Sequence, residues 1–383
     1  MKKLKNQKIE KFFFFFSLIF LMFSCKKEIK KEIIENKDKE INPPFSIKYA
    51  KGFDIKYFEN YKIVQVFYRL KNYTYILGKD KSLIPQYLQK FTFIKIPIKR
   101  IICLSTTHIS LLDFMNETHS LIGISGAKFV SNKKVRNSIS QNKIKEIGYD
   151  ANLNYELILK MKSDFVMAYD VNSSNNFNKL ENLGIKLVMN GEYLENHPLG
   201  KMEWIKFLSA FYDKEKFVID KFNKVVKNYE NLKKLIKDIK IKPKIMTNIL
   251  WKDLWYVPGG KSYMAKLIED AGGDYIWKDN NNKNSTPLNF ETVLLKARNS
   301  DIWINIGSAK RLEEVIAIDE RLRYFKAFSN DKMFNNNKRS FSNGGNDYWE
   351  SGMTKPDIIL KDLIKIFHPE KLKNYELYFY QKI

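Results

Sequence analysis

Asn154-Tyr155-Glu156-Leu157-Ile158-Leu159-Lys160 leads to Ser163-Asp164-Phe165-Val166, and 135 residues later Asn289-Phe290-Glu291-Thr292-Val293-Leu294 leads through Lys296 to Ser300-Asp301-Ile302-Trp303. Each stretch predicts a helix opened by Asn and Glu, then a Ser-Asp turn into a buried strand. Asparagine suits the cap position because its side chain accepts a first-turn N–H, and glutamate in that turn is favoured by the helix dipole. A string repeated at about half the chain length implies two lobes of like architecture.

Reading outward from the first copy, Ile101-Ile102-Cys103-Leu104 is a short buried strand and Ser105-Thr106-Thr107-His108 breaks it before a helical stretch with Ile109, Leu112 and Met115. A second strand, Leu121–Ile124, completes a β-α-β unit, the mark of a parallel sheet covered by helices. The fold class is therefore α/β, with two Rossmann-like lobes on parallel sheets. Between the copies, Val218, Phe222, Val225, Tyr229, Leu232 and Ile236 recur at steps of four and three. No Gly or Pro interrupts the stretch from Glu203 to Lys237, so the pattern predicts one helix of ~35 residues joining the lobes. Upstream, Ile63–Phe67 and Tyr73–Leu77 read as strands of a β-rich extension, bounded by Gly78 and Asp80. The expected organisation is a signal segment over 1–24, a disordered tether over 25–44, the extension over 45–97, lobes over 98–199 and 241–383, and the linking helix over 200–240.

The amino terminus reads as an export signal. Lysines at 2, 3, 5, 8 and 11 precede the apolar run Phe12–Phe23, which is shorter than the about 20 residues a membrane-spanning helix needs. Leu21-Met22-Phe23-Ser24-Cys25 resembles a lipobox, which implies a lipid on Cys25 and a mature chain anchored to a membrane outside the cytoplasm. Cys103, inside an apolar run, is expected to be an inert core thiol. With only these two cysteines, neither a disulfide framework nor a zinc ribbon can be built.

The 383-residue chain has 44% hydrophobic residues and a net charge of +24. The cationic excess is spread evenly and travels with abundant Asn, Ile, Phe and Tyr, so it reads as compositional bias rather than a nucleic-acid surface. Enzyme signatures are missing. No G-x-G-x-x-G or phosphate-loop lysine pattern occurs, and Gly123-Ile124-Ser125-Gly126 lacks nucleophile-elbow spacing. Glu156 and Glu291 open helices on separate lobes, which does not pair them as acid and base. Direct metal binding is disfavoured, because the four histidines at 108, 119, 197 and 368 are scattered and two precede prolines. A non-transport surface lipoprotein would account for residues 45–97 but not for the repeat.

Two α/β lobes joined by a long helix behind a lipobox resemble the substrate-binding proteins of bacterial ABC importers for iron complexes and cobalamin. The resemblance covers about residues 98–383. It is carried by Arg100–His108, the two Glu-bearing helix starts, Asp253-Leu-Trp-Tyr-Val-Pro-Gly-Gly260, and Gly344-Gly-Asn-Asp-Tyr-Trp-Glu-Ser-Gly352. It implies a non-enzymatic, monomeric protein that faces the periplasm from its lipid anchor. Such a protein carries a ferric siderophore, haem or cobalamin to a permease dimer, with no cofactor of its own. The expected ligand contacts are Thr106, Thr107, His108, Lys128 and Tyr169 from the first lobe and Trp251, Trp255, Tyr256, Tyr348 and Trp349 from the second. His108 reads equally as a haem ligand or as a polar residue of a helix start. Glu156 and Glu291 match the positions that dock on permease arginines.

Overall fold

The Ser-Asp turns of the repeat are where the chain ties each central strand to its neighbour. In the computed structural model, which describes residues 38–69, 71–149, 152–169 and 174–383, Asp164 Oδ2 accepts the N–H groups of Lys99 (2.7 Å) and Arg100 (2.8 Å). Asp301 Oδ2 accepts the N–H of Lys244 at 2.8 Å in the same way. Both carboxylates sit one residue before their strand and latch the start of the strand beside it. The helix starts repeat as well: Asn154 caps Tyr155–Lys160 through the N–H of Leu157, and Asn289 caps Phe290–Ala297 through that of Thr292. Residues 1–37, with the signal segment, Cys25 and most of the expected tether, lie outside the described residues, as does Asp170.

The first lobe carries a five-stranded sheet in the order Leu187–Met189, Phe165–Ala168, Ile101–Cys103, Leu121–Ile124, Lys145–Glu146, with every pairing parallel. The second sheet runs Asp274–Tyr275, Lys244–Thr247, Ile302–Ile304, Met333–Asn335, Gln381–Lys382, parallel except for the last pair. The central strands are buried on both faces, which is why they read as unbroken apolar runs instead of alternating ones. Cys103 is one of these core residues and is fully buried.

The long helix between the lobes departs from expectation. It is two helices, Pro198–Ala210 and Glu215–Leu235. Asp213 takes the left-handed conformation (φ 53°), and the N–H of Lys214 reaches back to the carbonyl of Ser209, so the first helix ends in a Schellman-type turn without glycine. The break is held from outside. Lys62 Nζ donates to the carbonyl of Ala210 (2.9 Å) and pairs with Asp213 (2.7 Å) and Glu215 (2.6 Å). Both helices bridge the lobes: Leu199 of the first and Tyr229 of the second lie in the second-lobe core, while Trp204 and Phe207 of the first and Val218 and Phe222 of the second lie in the first.

Lys62 belongs to a four-stranded sheet formed by Phe53–Tyr57, Tyr61–Tyr68, Lys71–Gly78 and Thr92–Lys95. Its buried face shares one hydrophobic core with the first lobe. An aromatic row crosses the junction: Phe53 to Trp204 (4.9 Å between centroids), Trp204 to Phe207 (5.0 Å), Phe207 to Phe211 (5.2 Å) and Phe211 to Phe165 (5.1 Å). Residues 40–383 form one compact unit.

Candidate functional site

The lobes meet along two edges of different character. One edge is sealed. Glu350, 2% exposed, accepts the N–H groups of Ser131 and Asn132 of the first lobe, each at 2.7 Å. Burial pushes its carboxyl up to about 7, against these two donors, which favour the charged form. The Arg136 guanidinium lies 4.4 Å from the Phe341 ring centre, and Ser110 and Thr354 share a buried hydroxyl hydrogen bond of 2.7 Å. Gly345 sits so close to the carbonyl oxygen of Phe129 that a Cβ there would come within 2.8 Å of it, so this contact requires glycine.

The other edge is open. It encloses a cavity of about 2050 Å³ between the N-terminal sheet, the 193–197 loop and the second lobe. The second-lobe wall follows from local strand physics. Leu250–Trp251 and Leu254–Val257 form a hairpin whose two turn residues, Lys252 (φ 49°) and Asp253 (φ 64°), are both left-handed, the type I′ pattern that matches strand twist. Alternation along Leu254–Val257 then sends Trp255 and Val257 inward, while Tyr256 turns to the cavity beside Trp251. Asn248 and Asn305 end the two central strands in left-handed geometry (φ 64° and 60°), and both line the cavity. Asparagine is among the residues that tolerate this conformation, and partners fix both side chains: Asn248 Nδ2 donates to the carbonyl of Tyr256 (2.7 Å) and Asn305 Oδ1 accepts from the Tyr380 hydroxyl (2.8 Å).

The opposite wall comes from residues that the sequence reading left without a role. Lys48, Lys51, Phe67 and Arg69 of the N-terminal segment line it, with Tyr193 and His197. Lys48, Lys51, Arg69, Lys252, Lys261 and Lys283 all border the cavity, and none forms an ion pair among the described residues. Cations are thus interleaved with Trp251, Tyr256 and Trp349. Trp251 and Trp349 are 61% and 54% exposed, unusual for tryptophan and fitting for a surface that waits for a partner. His197 is engaged with its own fold: Nδ1 accepts the N–H of Leu199 (3.1 Å), and the ring stacks on Tyr49 at 5.1 Å.

The structure divides the ten residues expected to contact ligand. Trp251, Tyr256 and Trp349 line the cavity. Trp255 does not. It is fully buried, donates its indole N–H to the carbonyl of Thr247 (2.9 Å), and packs on Trp303 and Phe325. Tyr348 is 2% exposed and packs between Trp349, Phe379 and Tyr380. No first-lobe candidate borders the cavity. Thr106 and Thr107 occupy the first turn of Thr106–Phe114, with the Thr107 hydroxyl bonded to that of Ser105 at 2.9 Å. Lys128 is exposed and lies over the Phe129 ring. His108 is fully buried edge-on to Tyr169 (6.2 Å), neither ring nitrogen meets a hydrogen-bond partner among the described residues, and burial pushes its pKa down to about 3, so the imidazole is neutral. Tyr169 in turn packs on Tyr193, one ring removed from the cavity. Among the described residues no three His, Cys, Asp or Glu side chains group as a metal site. Glu156 and Glu291 are both exposed, and Glu291 pairs with Arg321 at 3.2 Å.

Two lobes on parallel sheets, a helical bridge between them and an open cavity beside it define a solute-binding protein. The chain belongs to the periplasmic binding protein family, which it matches over residues 101–338. The uncharacterized lipoprotein MJ0878 of Methanocaldococcus jannaschii is 30% identical, and the match spans 94% of this chain and 93% of that protein, so it runs through the N-terminal sheet as well. Among solved structures, Helicobacter pylori CeuE with Ni(II) bound shares the fold with a TM-score of 0.56 at 19% identity, covering 74% of this chain and 88% of that one. The periplasmic heme-binding protein RhuT from Roseiflexus sp. RS-1 does so with a TM-score of 0.53 at 16% identity, covering 72% and 99%. Proteins of this family are solute-binding proteins rather than enzymes, and they deliver their ligands to ABC importer permeases. Among the described residues no helix is long and apolar enough to cross a membrane.

Proposed function

We propose that this protein captures a bulky, anionic metal chelate in the open cavity and hands it to the permease dimer of an ABC importer. The observation that carries this reading is six cations without carboxylate partners among the described residues, interleaved with exposed tryptophan and tyrosine, around a space of about 2050 Å³. Ordinary small-molecule pockets hold about 300–1,000 Å³. A ferric catecholate siderophore or haem supplies both the flat conjugated groups that stack on aromatic rings and the negative charge that the lysines and Arg69 attract. Cobalamin, with its bulk but without that charge, is the second candidate. Titration of the protein with haemin, a ferric siderophore and cyanocobalamin, read by tryptophan quenching, tests the assignment. Sub-micromolar binding of an iron chelate is expected, and tighter binding of cyanocobalamin than of either chelate overturns the preference for an anion.

A lipid on Cys25 would hold the protein at the membrane from the outside. Labelling with a palmitate analogue should mark the wild type and spare Cys25→Ala; a labelled mutant contradicts the anchor. Delivery would use Glu156 and Glu291, which lie exposed on the equivalent helix starts of the two lobes and would meet permease arginines.

A further inference from the structure

The N-terminal sheet precedes the part of the chain matched by the family, yet it is built into the fold through buried carboxylates. Glu203, fully buried, accepts the N–H groups of Lys48, Tyr49 and Ala50 at 2.6–3.1 Å and pairs with Lys206 at 2.6 Å. Glu195 Oε1 accepts those of Lys51 and Gly52, both at 2.9 Å, and the Trp204 indole N–H at 3.1 Å. Five consecutive backbone N–H groups are thereby fixed to the Pro198–Ala210 helix and the loop before it. Close packing adds to this: a Cβ at Gly200 would come within 2.8 Å of the Tyr49 carbonyl oxygen, and one at Gly52 within 2.7 Å of the Trp204 ring. A segment held so tightly presents the side chains of Lys48 and Lys51 to the cavity from a rigid backbone.

Arg69 completes this wall. It lies at the tip of the hairpin that joins Tyr61–Tyr68 to Lys71–Gly78, in left-handed backbone geometry (φ 54°). Its guanidinium touches the Tyr193 hydroxyl (Nη2, 3.3 Å) and lies 6.0 Å from the Tyr68 ring centre, which orients it while leaving most of its donors unspent among the described residues. Across the cavity stands the tip of the second-lobe hairpin, with Trp251 and Lys252. Two hairpin tips on opposite walls, one aromatic and one guanidinium-bearing, form a pair of jaws.

We infer that the N-terminal sheet is the recognition wall of the ligand cavity and that Arg69 selects an anionic face of the ligand, an inference that rests on the ligand reading above. The guanidinium would take two oxygens of a carboxylate or catecholate bidentately, a geometry that lysine cannot reproduce. Lys51 would add charge without the fork.

The test uses the full-length protein in mild detergent and two ligand pairs that differ in charge at similar bulk. These are a ferric tricatecholate against a neutral ferric trihydroxamate, and haemin against its dimethyl ester. The wild type should prefer the charged member of the pair it binds. Arg69→Ala should weaken that member about tenfold or more and change the neutral one less than twofold, with an unaltered unfolding midpoint. Arg69→Lys should recover only part of the loss. Equal affinity for charged and neutral members, or Arg69→Ala and Lys51→Ala variants that bind as the wild type while Trp251→Ala is weakened, overturns the inference and leaves the ligand cavity standing. No binding of any of the four probes, or binding that none of the three variants alters, overturns the cavity reading together with it.

Discussion

The sealed edge and the open edge of the lobe interface use the same residue types to opposite ends. At the sealed edge Glu350 meets two N–H groups, Arg136 lies over Phe341 and Ser110 meets Thr354. At the open edge, among the described residues, Arg69 keeps most of its donors and five lysines have no carboxylate, and two tryptophans are more than half exposed. Under the proposed ligand reading, an external partner would take up the exposed aromatic rings and cations that water solvates in the free protein. Position in the repeat does not tell the edges apart. Pairing does.

The two tryptophans of one hairpin give the largest contrast. Trp255→Ala empties a core site among Trp303, Phe325 and Thr247, and should cost about 3–5 kcal/mol of stability in denaturant unfolding. Trp251→Ala removes an exposed ring and should leave stability within about 0.5 kcal/mol. Its cost should fall on ligand affinity, on the order of 2 kcal/mol or about thirtyfold. Equal stability losses for the two variants would break the division between core and cavity.

The sealed edge should respond to pH. The Glu350 carboxyl titrates near 7 in the folded protein and near 4.5 unfolded, so the native state binds the extra proton between these values. Its contribution is full below pH 4.5 and is lost as pH rises through 7. Measured against Glu350→Gln, which cannot titrate, the wild type should lose about 2 kcal/mol of relative stability from pH 5 to pH 8. A flat difference would show that the two N–H donors outweigh burial. The reversals Glu156→Lys and Glu291→Lys, at exposed positions that do not line the cavity, should have the smallest effect on the isolated protein. Loss of the exposed Glu291–Arg321 pair should cost less than about 0.5 kcal/mol, with unchanged ligand binding. The double variant should nevertheless fail in cellular uptake of ligand; undiminished uptake would leave both glutamates as first-turn helix residues only.

The two-lobe architecture was legible because the repeat writes it locally: an Asn cap, a Glu in the first turn and a latching Asp fall within a dozen residues of each other. The helix break was not. Neither Gly nor Pro marks it, and Asp213 adopts the left-handed turn with Lys62, some 150 residues away, holding it. The same distance hid the open wall. Glu203 binds the backbone of residues 48–50, a contact with no sequence signature, and so brings Lys48, Lys51 and Arg69 to the cavity. Trp255 could have been read correctly. In Leu254-Trp255-Tyr256-Val257 a period of two groups Trp255 with Val257 on the inner face, although Gly259 and Gly260 follow closely. The first-lobe candidates lie off this cavity, and their sequence signal is ambiguous for a physical reason: strand-to-helix turns such as Ser105–His108 need their hydroxyls for capping whether or not a ligand is near.

The central claim, that ligand sits at the open edge between the N-terminal sheet and the second lobe, is tested most directly by hydrogen exchange of the full-length protein. The protein would be saturated with whichever of haemin, ferric siderophore or cyanocobalamin binds it, and compared with the free form. Ligand should slow exchange in peptides covering 193–197, 248–256 and the hairpin tip around Arg69, and leave 104–108 and 126–132 unchanged. Protection confined to 104–108 and 126–132, with none around the cavity, would contradict it.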